Sequence, residues 1–384
     1  DWSKQVEVAA SGVREVEYPL LIPTKLSPKN VAEFDIPQLV SQSKNRKLLL
    51  THITNASQLQ LIELDPESPK QTTLSLPKSI KRESGNFGSF AVIEWALNNK
   101  QVLMQQTLPS GTTQLISLDV TKPEEAVNIS NLYGGDQPSD IHYVGSETDT
   151  IYGLKDGVLS RYDLKERRIT RLLQNIRGYQ PYSDDTILFD RTGQSLTEIG
   201  IWKDDVATVV QNGASTNVPV HLKYANYQDH FYLAVASPSE NTLTLYRDPL
   251  KKPILSKQLP LKTLKFENPQ SVDFSDSSQF VLVQNGKNFL TYDLDELLSY
   301  AVTLPYELAP GSELEWTDSA HISAQSADGK GYFLEYDGLN SHQLTTNRLD
   351  IPLLFNNNRK YIYQFTDGEA GKSKLSAVSL VATD

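Results

Sequence analysis

The chain contains no cysteine. Disulfides, thiolate metal sites and cysteine nucleophiles are excluded, although this absence does not fix a compartment. Histidine is scarce as well. His52, His142, His221, His230, His321 and His342 are the full set, and none stands in a His-x-x-x-His or Glu-flanked zinc spacing. No apolar run reaches the ~18 residues of a membrane-crossing helix, and no secretory leader is visible. Positive charge is in deficit: 36 Lys and Arg stand against 47 Asp and Glu, a formal charge of −11. An acidic surface repels phosphate backbones and anionic lipid, so a nucleic-acid partner is not expected. The short basic stretches "KSIKRES" and "LKERRITR" read as solvated faces at turns or edge strands.

Catalytic signatures are equally thin. There is no Gly-x-Ser-x-Gly nucleophile elbow. "TDGEAGKSK" resembles a phosphate loop through Gly371-Lys372-Ser373, but Thr366 stands where the first glycine belongs. Its flanks, "YIYQF" and "KLSAVSLV", both read as strands, whereas a phosphate cradle needs a helix N-terminus. The paired acids in "DLDELL" and "DFSDSS" lack the Asp-x-Asp-x-Asp-Gly spacing and bidentate Glu of a calcium loop. Neither a cofactor nor a metal site is expected. A carboxylate pair for glycan cleavage would have to converge from distant segments.

What the chain does have is strand periodicity. Hydrophobic residues make up 39% and charged ones 22%, which suits a globular rather than a disordered protein. Long helical periodicity is scarce; the best candidate, "DLDELLSYAV", is short and follows a strand directly. Runs such as "KLLLTHIT", "QVLMQQTL", "TILFDRTG", "FYLAVASP" and "FVLVQNG" recur between Gly, Pro, Asn, Asp or Ser turns, the all-β signature. They group into units whose third strand closes with "IELD", "ISLD", "RYDL" or "TYDL", and "IEW" at 93–95 returns as "LEW" at 314–316. The repeat is roughly 35–45 residues, the length of a four-stranded propeller blade. Units begin near Phe34, Ala91, Asp140, Gly178, Val220, Pro269, Glu313 and Ile351. The expected fold is an all-β, eight-bladed β-propeller over 27–384, with seven blades as the alternative. A ring left open would expose sheet edges, so a strand from the other terminus should close the last unit. "PTKLSPKNV", near Pro23–Val31, is the natural donor.

Residues 1–26 do not repeat elsewhere. Val6 and Val8 alternate with polar residues, Ser11-Gly12 marks a turn, and Val13, Val16 and Tyr18 resume a strand. The pattern carried by Trp2, Lys4, Val6, Val8, Ala10, Gly12, Val13, Val16, Tyr18, Leu20, Pro23 and Leu26 resembles the terminal hairpin of a PEGA domain. A strand pair that simply caps the propeller is the plainer alternative. The combination is similar to PEGA-domain surface proteins of small, host-attached bacteria. There an N-terminal transmembrane helix precedes a PEGA domain and a large β-repeat region. The resemblance implies an extracytoplasmic, cell-surface protein, membrane-anchored in its full-length form, of which this chain is the soluble part and a monomer. A hairpin parted from the rest of its domain should be weakly ordered over Asp1–Ser11.

Aromatics concentrate in "GYQPYSDD" and "YANYQDHFY". Tyr and Trp combine rigid area with a polar tip, which suits protein or sugar recognition. Trp95, Trp202 and Trp316 read as packing between blades. Tyr179, Tyr182 and Tyr227 are the candidate binding residues; no catalytic residue is assigned. The expected function is a non-catalytic recognition or scaffold module binding a protein, glycan or cell-wall polymer. The alternatives are a propeller-type glycan hydrolase or lyase with carboxylates around the central channel, and a purely structural envelope component.

Overall fold

The computed structural model describes residues 23, 26–35, 37, 39–52, 58–134, 137–193, 196–213, 218–251, 259–369 and 372–381. Within them the chain forms eight four-stranded antiparallel sheets, arranged as the blades of one ring. The first strands of the blades are Leu39–Gln42, Ser89–Trp95, Asp140–Val144, Ile176–Ser183, His221–Tyr227, Ser271–Phe274, Glu315–Trp316 and Leu354–Phe355. These strands pack against their neighbours around the ring axis, and the fourth strands form the rim. The expected unit starts fall within a few residues of these strands, and the blade number is eight.

Closure shifts one boundary. The fourth strand of blade 8 is the N-terminal segment Pro28–Asp35, which pairs antiparallel with Lys372–Ser379. The donor therefore shares Pro28–Val31 with "PTKLSPKNV" and runs four residues further along the chain. Phe34 belongs to this closing strand and not to blade 1, which begins at Leu39. Its ring is buried against Phe365, with centroids 5.8 Å apart at 66°. The hairpin expected over 1–26 lies outside the described residues apart from Pro23 and Leu26, as does Asp1–Ser11. Leu26 packs against the cluster between blades 7 and 8.

Local chemistry explains the repeated acid at the end of the third strand. Asp65, Asp119, Asp163 and Asp293 each turn a carboxylate back onto the chain that follows. Asp163 Oδ1 accepts the N–H groups of Lys165 (3.1 Å) and Glu166 (2.8 Å); Asp293 Oδ1 accepts those of Asp295 (2.8 Å) and Glu296 (3.3 Å). A short acidic side chain that mimics a backbone turn ends the strand and starts the next. The same bonds turn "DLDELLSYAV" into a turn and a strand, Ser299–Thr303, rather than a helix. The α-helix described is one turn, Ile129–Tyr133, capped by the Asn128 side chain.

The apolar core is divided like the ring. Eight clusters of buried residues each span one junction between neighbouring blades. Each sheet alternates inward and outward residues, so both of its faces meet a neighbour and are buried. Trp95, Trp202 and Trp316 sit in three of these clusters. The Trp95 indole N–H donates to Ser41 Oγ at 3.0 Å, tying blade 2 to blade 1.

Candidate functional site

Two of the recesses among the described residues bear on the candidate residues. The larger lies on the axis, with a volume of about 790 Å³, walled mainly by the first strands of blades 4 to 7. Carboxylates converge there from separate blades: Asp273 from blade 6, and Glu313 and Glu315 from blade 7. Lys223 Nζ approaches Asp273 at 3.2 Å. Glu315 faces the solvent of the channel, yet protein surrounds it. This confinement raises its carboxyl above the ordinary range, Arg46 opposes the rise, and Glu313 and Asp273 add to it. His221, on the same wall, is lowered by burial.

The channel is crossed at one end by two arginines. Arg46, from the first turn of blade 1, donates to the carbonyls of Thr317 (2.7 Å) and Trp316 (3.0 Å) in blade 7. Arg359 holds the equivalent turn position in blade 8 and pairs with Asp276 of blade 6. Both residues adopt a left-handed backbone, φ 60° and 59°. Burial lowers the Arg46 guanidinium, while Glu315 and Asp318 raise it. On the other side of the axis Glu94 links three blades. It takes Lys44 Nζ at 2.8 Å, His142 Nδ1 at 3.3 Å and the Tyr143 N–H at 3.0 Å. Burial pushes its carboxyl up, and the bonds from His142 and Lys44 outweigh that and hold it low.

The second recess, about 440 Å³, lies at the seam of blades 4 and 5, where their turns meet. Its floor is an aromatic stack. Tyr224 and Phe231 lie parallel at 5.4 Å, and Tyr182 stands edge-on to Tyr224 at 4.8 Å. Tyr182 remains 38% exposed. Asp248 closes one side, held by His230 Nδ1 (2.6 Å) and Lys251 Nζ (3.0 Å). Burial works against its charge, but these bonds and the Phe231 N–H hold the carboxyl down at about 2.

The three candidate tyrosines therefore have different surroundings. Tyr179 is buried in the cluster between blades 3 and 4, its hydroxyl donates to the Asp140 carbonyl at 3.2 Å, and it reaches the wall of the axial cavity. Tyr182 lines the second recess. The hydroxyl of Tyr227, at the blade 5 turn, donates to Asp295 of blade 6 at 2.5 Å. Tyr179 and Tyr182 share one strand, yet Tyr179 packs toward blade 3 and Tyr182 toward blade 5. Sequence reasoning passed over Phe231 and Tyr224 as site residues, although "YANYQDHFY" contains both. It also missed Arg46 and Arg359, whose signal is the shared "NRK" of "SKNRK" and "NNNRK". Among the described residues no group of three or more His, Asp or Glu is arranged to hold a metal ion.

The fold and both recesses define an eight-bladed β-propeller. The ring is similar to the C-terminal WD40 domain of Sif2, at a TM-score of 0.59 and 10% identity, covering 92% of this chain and 99% of that one. It is also similar to the computationally designed Ika8 protein, at a TM-score of 0.53 and 9% identity, covering 92% and 98%. At such identities the likeness is one of fold. No protein-family model and no curated protein sequence matches the chain.

Proposed function

We propose that this propeller is a non-catalytic recognition or scaffold module, displayed at a bacterial cell surface by an upstream membrane anchor and PEGA domain. The N-terminal pattern motivates the anchoring. The seam recess carries the recognition reading: an exposed tyrosine stands on a stacked aromatic floor, with polar groups of two blades around it. Rigid aromatics with a polar tip bind at low entropic cost, and a propeller holds its turns on a stiff disc. The ligand is a protein or glycan of the envelope. The test is a binding screen against purified envelope proteins and glycans, run with the wild type and with Tyr182→Ala. Saturable binding that Tyr182→Ala weakens at unchanged melting temperature supports the reading. If no ligand binds above background, a structural envelope component is the better description.

One observation favours a second reading. The carboxylates of Asp273, Glu313 and Glu315 converge on the axial cavity, and the Glu315 carboxyl is raised, as a general acid requires. That arrangement suits a glycan hydrolase or lyase. Release of new reducing ends from envelope glycans, abolished by Glu315→Gln, would establish it. Turnover by neither protein would exclude it for the glycans tried.

A further inference from the structure

The first-to-second turns of the blades, and the third-to-fourth turns of blades 1 to 7, lie on one face of the ring, because adjacent strands are antiparallel. Charge on this face is split. The first turns of blades 8 and 1 present Lys44, Arg46, Lys47, Arg359 and Lys360, with Asp65 and Glu67 further out on blade 1. The turns of blades 4 to 6 present three doublets of adjacent acids: Asp184-Asp185, Asp204-Asp205 and Asp295-Glu296.

Neutral donors position several of these carboxylates. Asp184 accepts the Ser146 N–H at 2.9 Å, and Asp185 accepts the hydroxyls of Ser183 (2.7 Å) and Thr186 (2.8 Å). Asp295 accepts from Tyr227 (2.5 Å) and Gln228 (2.9 Å). Among the described residues no lysine or arginine forms an ion pair with Asp184, Asp185, Asp204, Asp205 or Asp295. Hydrogen bonds fix Asp184, Asp185 and Asp295, and Lys203 partly offsets the charge of Asp185. Apolar groups sit between and beside the doublets. The recess floored by Tyr224 and Phe231 adjoins the first two, Val206 is 61% exposed next to Asp205, and Leu297 is 54% exposed next to Glu296.

We propose that blades 4 to 6 of this face dock a basic peptide segment of a partner protein. One aromatic or aliphatic side chain of the segment enters the seam recess, and Lys or Arg residues on either side lie over the acidic doublets. This rests on the recognition reading of the same recess and adds the chemistry of the partner. Lys251 at the recess wall is held by Asp248, and Lys203 lies on the same recess within the field of Asp185. The partner's positive charges therefore belong over the rim, and its apolar anchor inside. The same field repels acidic peptides and anionic headgroups.

The test is fluorescence anisotropy with a labelled twelve-residue probe, lysine-rich with a central Trp. Its counterparts replace every Lys with Glu, or the Trp with Ser. The lysine–Trp probe should saturate with a Kd on the order of 10 μM and weaken as salt rises. Tyr182→Ala should weaken it about tenfold. The double variant Asp204→Asn, Asp205→Asn should weaken it roughly 3–10-fold, mainly through the on-rate. Asparagine tolerates the positive φ of both turn positions, 49° and 63°, so the fold is kept. Lys47→Gln with Lys360→Gln, on the basic half, should change nothing.

Equal binding of the glutamate probe, failure of the lysine probe to saturate below about 1 mM, or indifference to the Asn variants would each overturn the proposal. So would low-salt dimerisation that the Asn variants abolish, because the occupant would then be a second copy of this chain. If the envelope screen finds a glycan or acidic protein that responds to Tyr182→Ala, recognition stands and the basic partner falls. If no ligand responds to Tyr182, both fall.

Discussion

Removing the Asp190 carboxylate should loosen the junction of blades 4 and 5, the two blades that build the aromatic recess. Asp190 is fully buried. Its Oδ1 takes Arg177 through Nε at 3.2 Å and Nη2 at 2.5 Å, and its Oδ2 takes the Val220 N–H, at the entry to blade 5, at 3.1 Å. Asp190→Ala takes the facing carboxylate away from Arg177, whose side chain is 14% exposed, and orphans one backbone donor. Breaking a buried pair from one side costs about 3–5 kcal/mol. Unfolding entropy of about 2.1 cal/mol/K per residue over about 350 residues converts this to a drop in Tm of about 4–7 °C. The double replacement Asp190→Leu, Arg177→Met removes both charges together. Only the Val220 N–H then stays unmatched, at about 1 kcal/mol, so most of the loss should be recovered. Differential scanning calorimetry of wild type, single and double variants measures both. A single-variant drop below about 1 °C, or a double variant as weak as the single, would refute the reasoning.

Three further outcomes are expected. Phe34→Ala should cost about 3–5 kcal/mol, since a buried phenylalanine is emptied from the closing strand; hydrogen exchange should rise in Lys372–Ser379, its pairing partner, more than in blade 4. Gly88→Ala should destabilise strongly, because φ is +74° and a Cβ would strike the Thr107 carbonyl oxygen; a thermal melt reads it. The Glu315 carboxyl is raised in the folded chain, so the fold binds its proton more tightly than the unfolded chain does. That contribution is present at low pH and is lost as pH rises through the folded value. Glu315→Gln should therefore raise Tm at neutral pH, with the gain fading as pH falls through the folded value and absent below about pH 4, the ordinary glutamate range; Tm against pH measures it.

The rhythm of the ring was legible because its causes are local. An aspartate that caps its own turn writes itself into the sequence as "IELD" or "TYDL", and period-two alternation marks each strand. The start of blade 3 was read at Asp140 and found there. Phe34 was misplaced because a closing strand has the same alternation as a first strand; only its partner, Lys372–Ser379, distinguishes them. The aromatic richness of "GYQPYSDD" was visible, but not that Tyr179 goes inward while Tyr182 stays at the surface. That depends on which face of the blade 4 sheet meets which neighbour.

The sequence by itself determined an all-β repeat, its blade length and its acidic surface, since each follows from composition or from residues a few positions apart. The tertiary structure alone decided where the ring closes, which acids meet in the channel and which aromatics form the recess. Arg46 reaches the carbonyl of Thr317, 271 positions away, and Tyr227 reaches Asp295, 68 away. Such pairs are set by the curvature of the closed ring, which brings turns of different blades to one axis or one face, and no local pattern in the chain encodes that meeting.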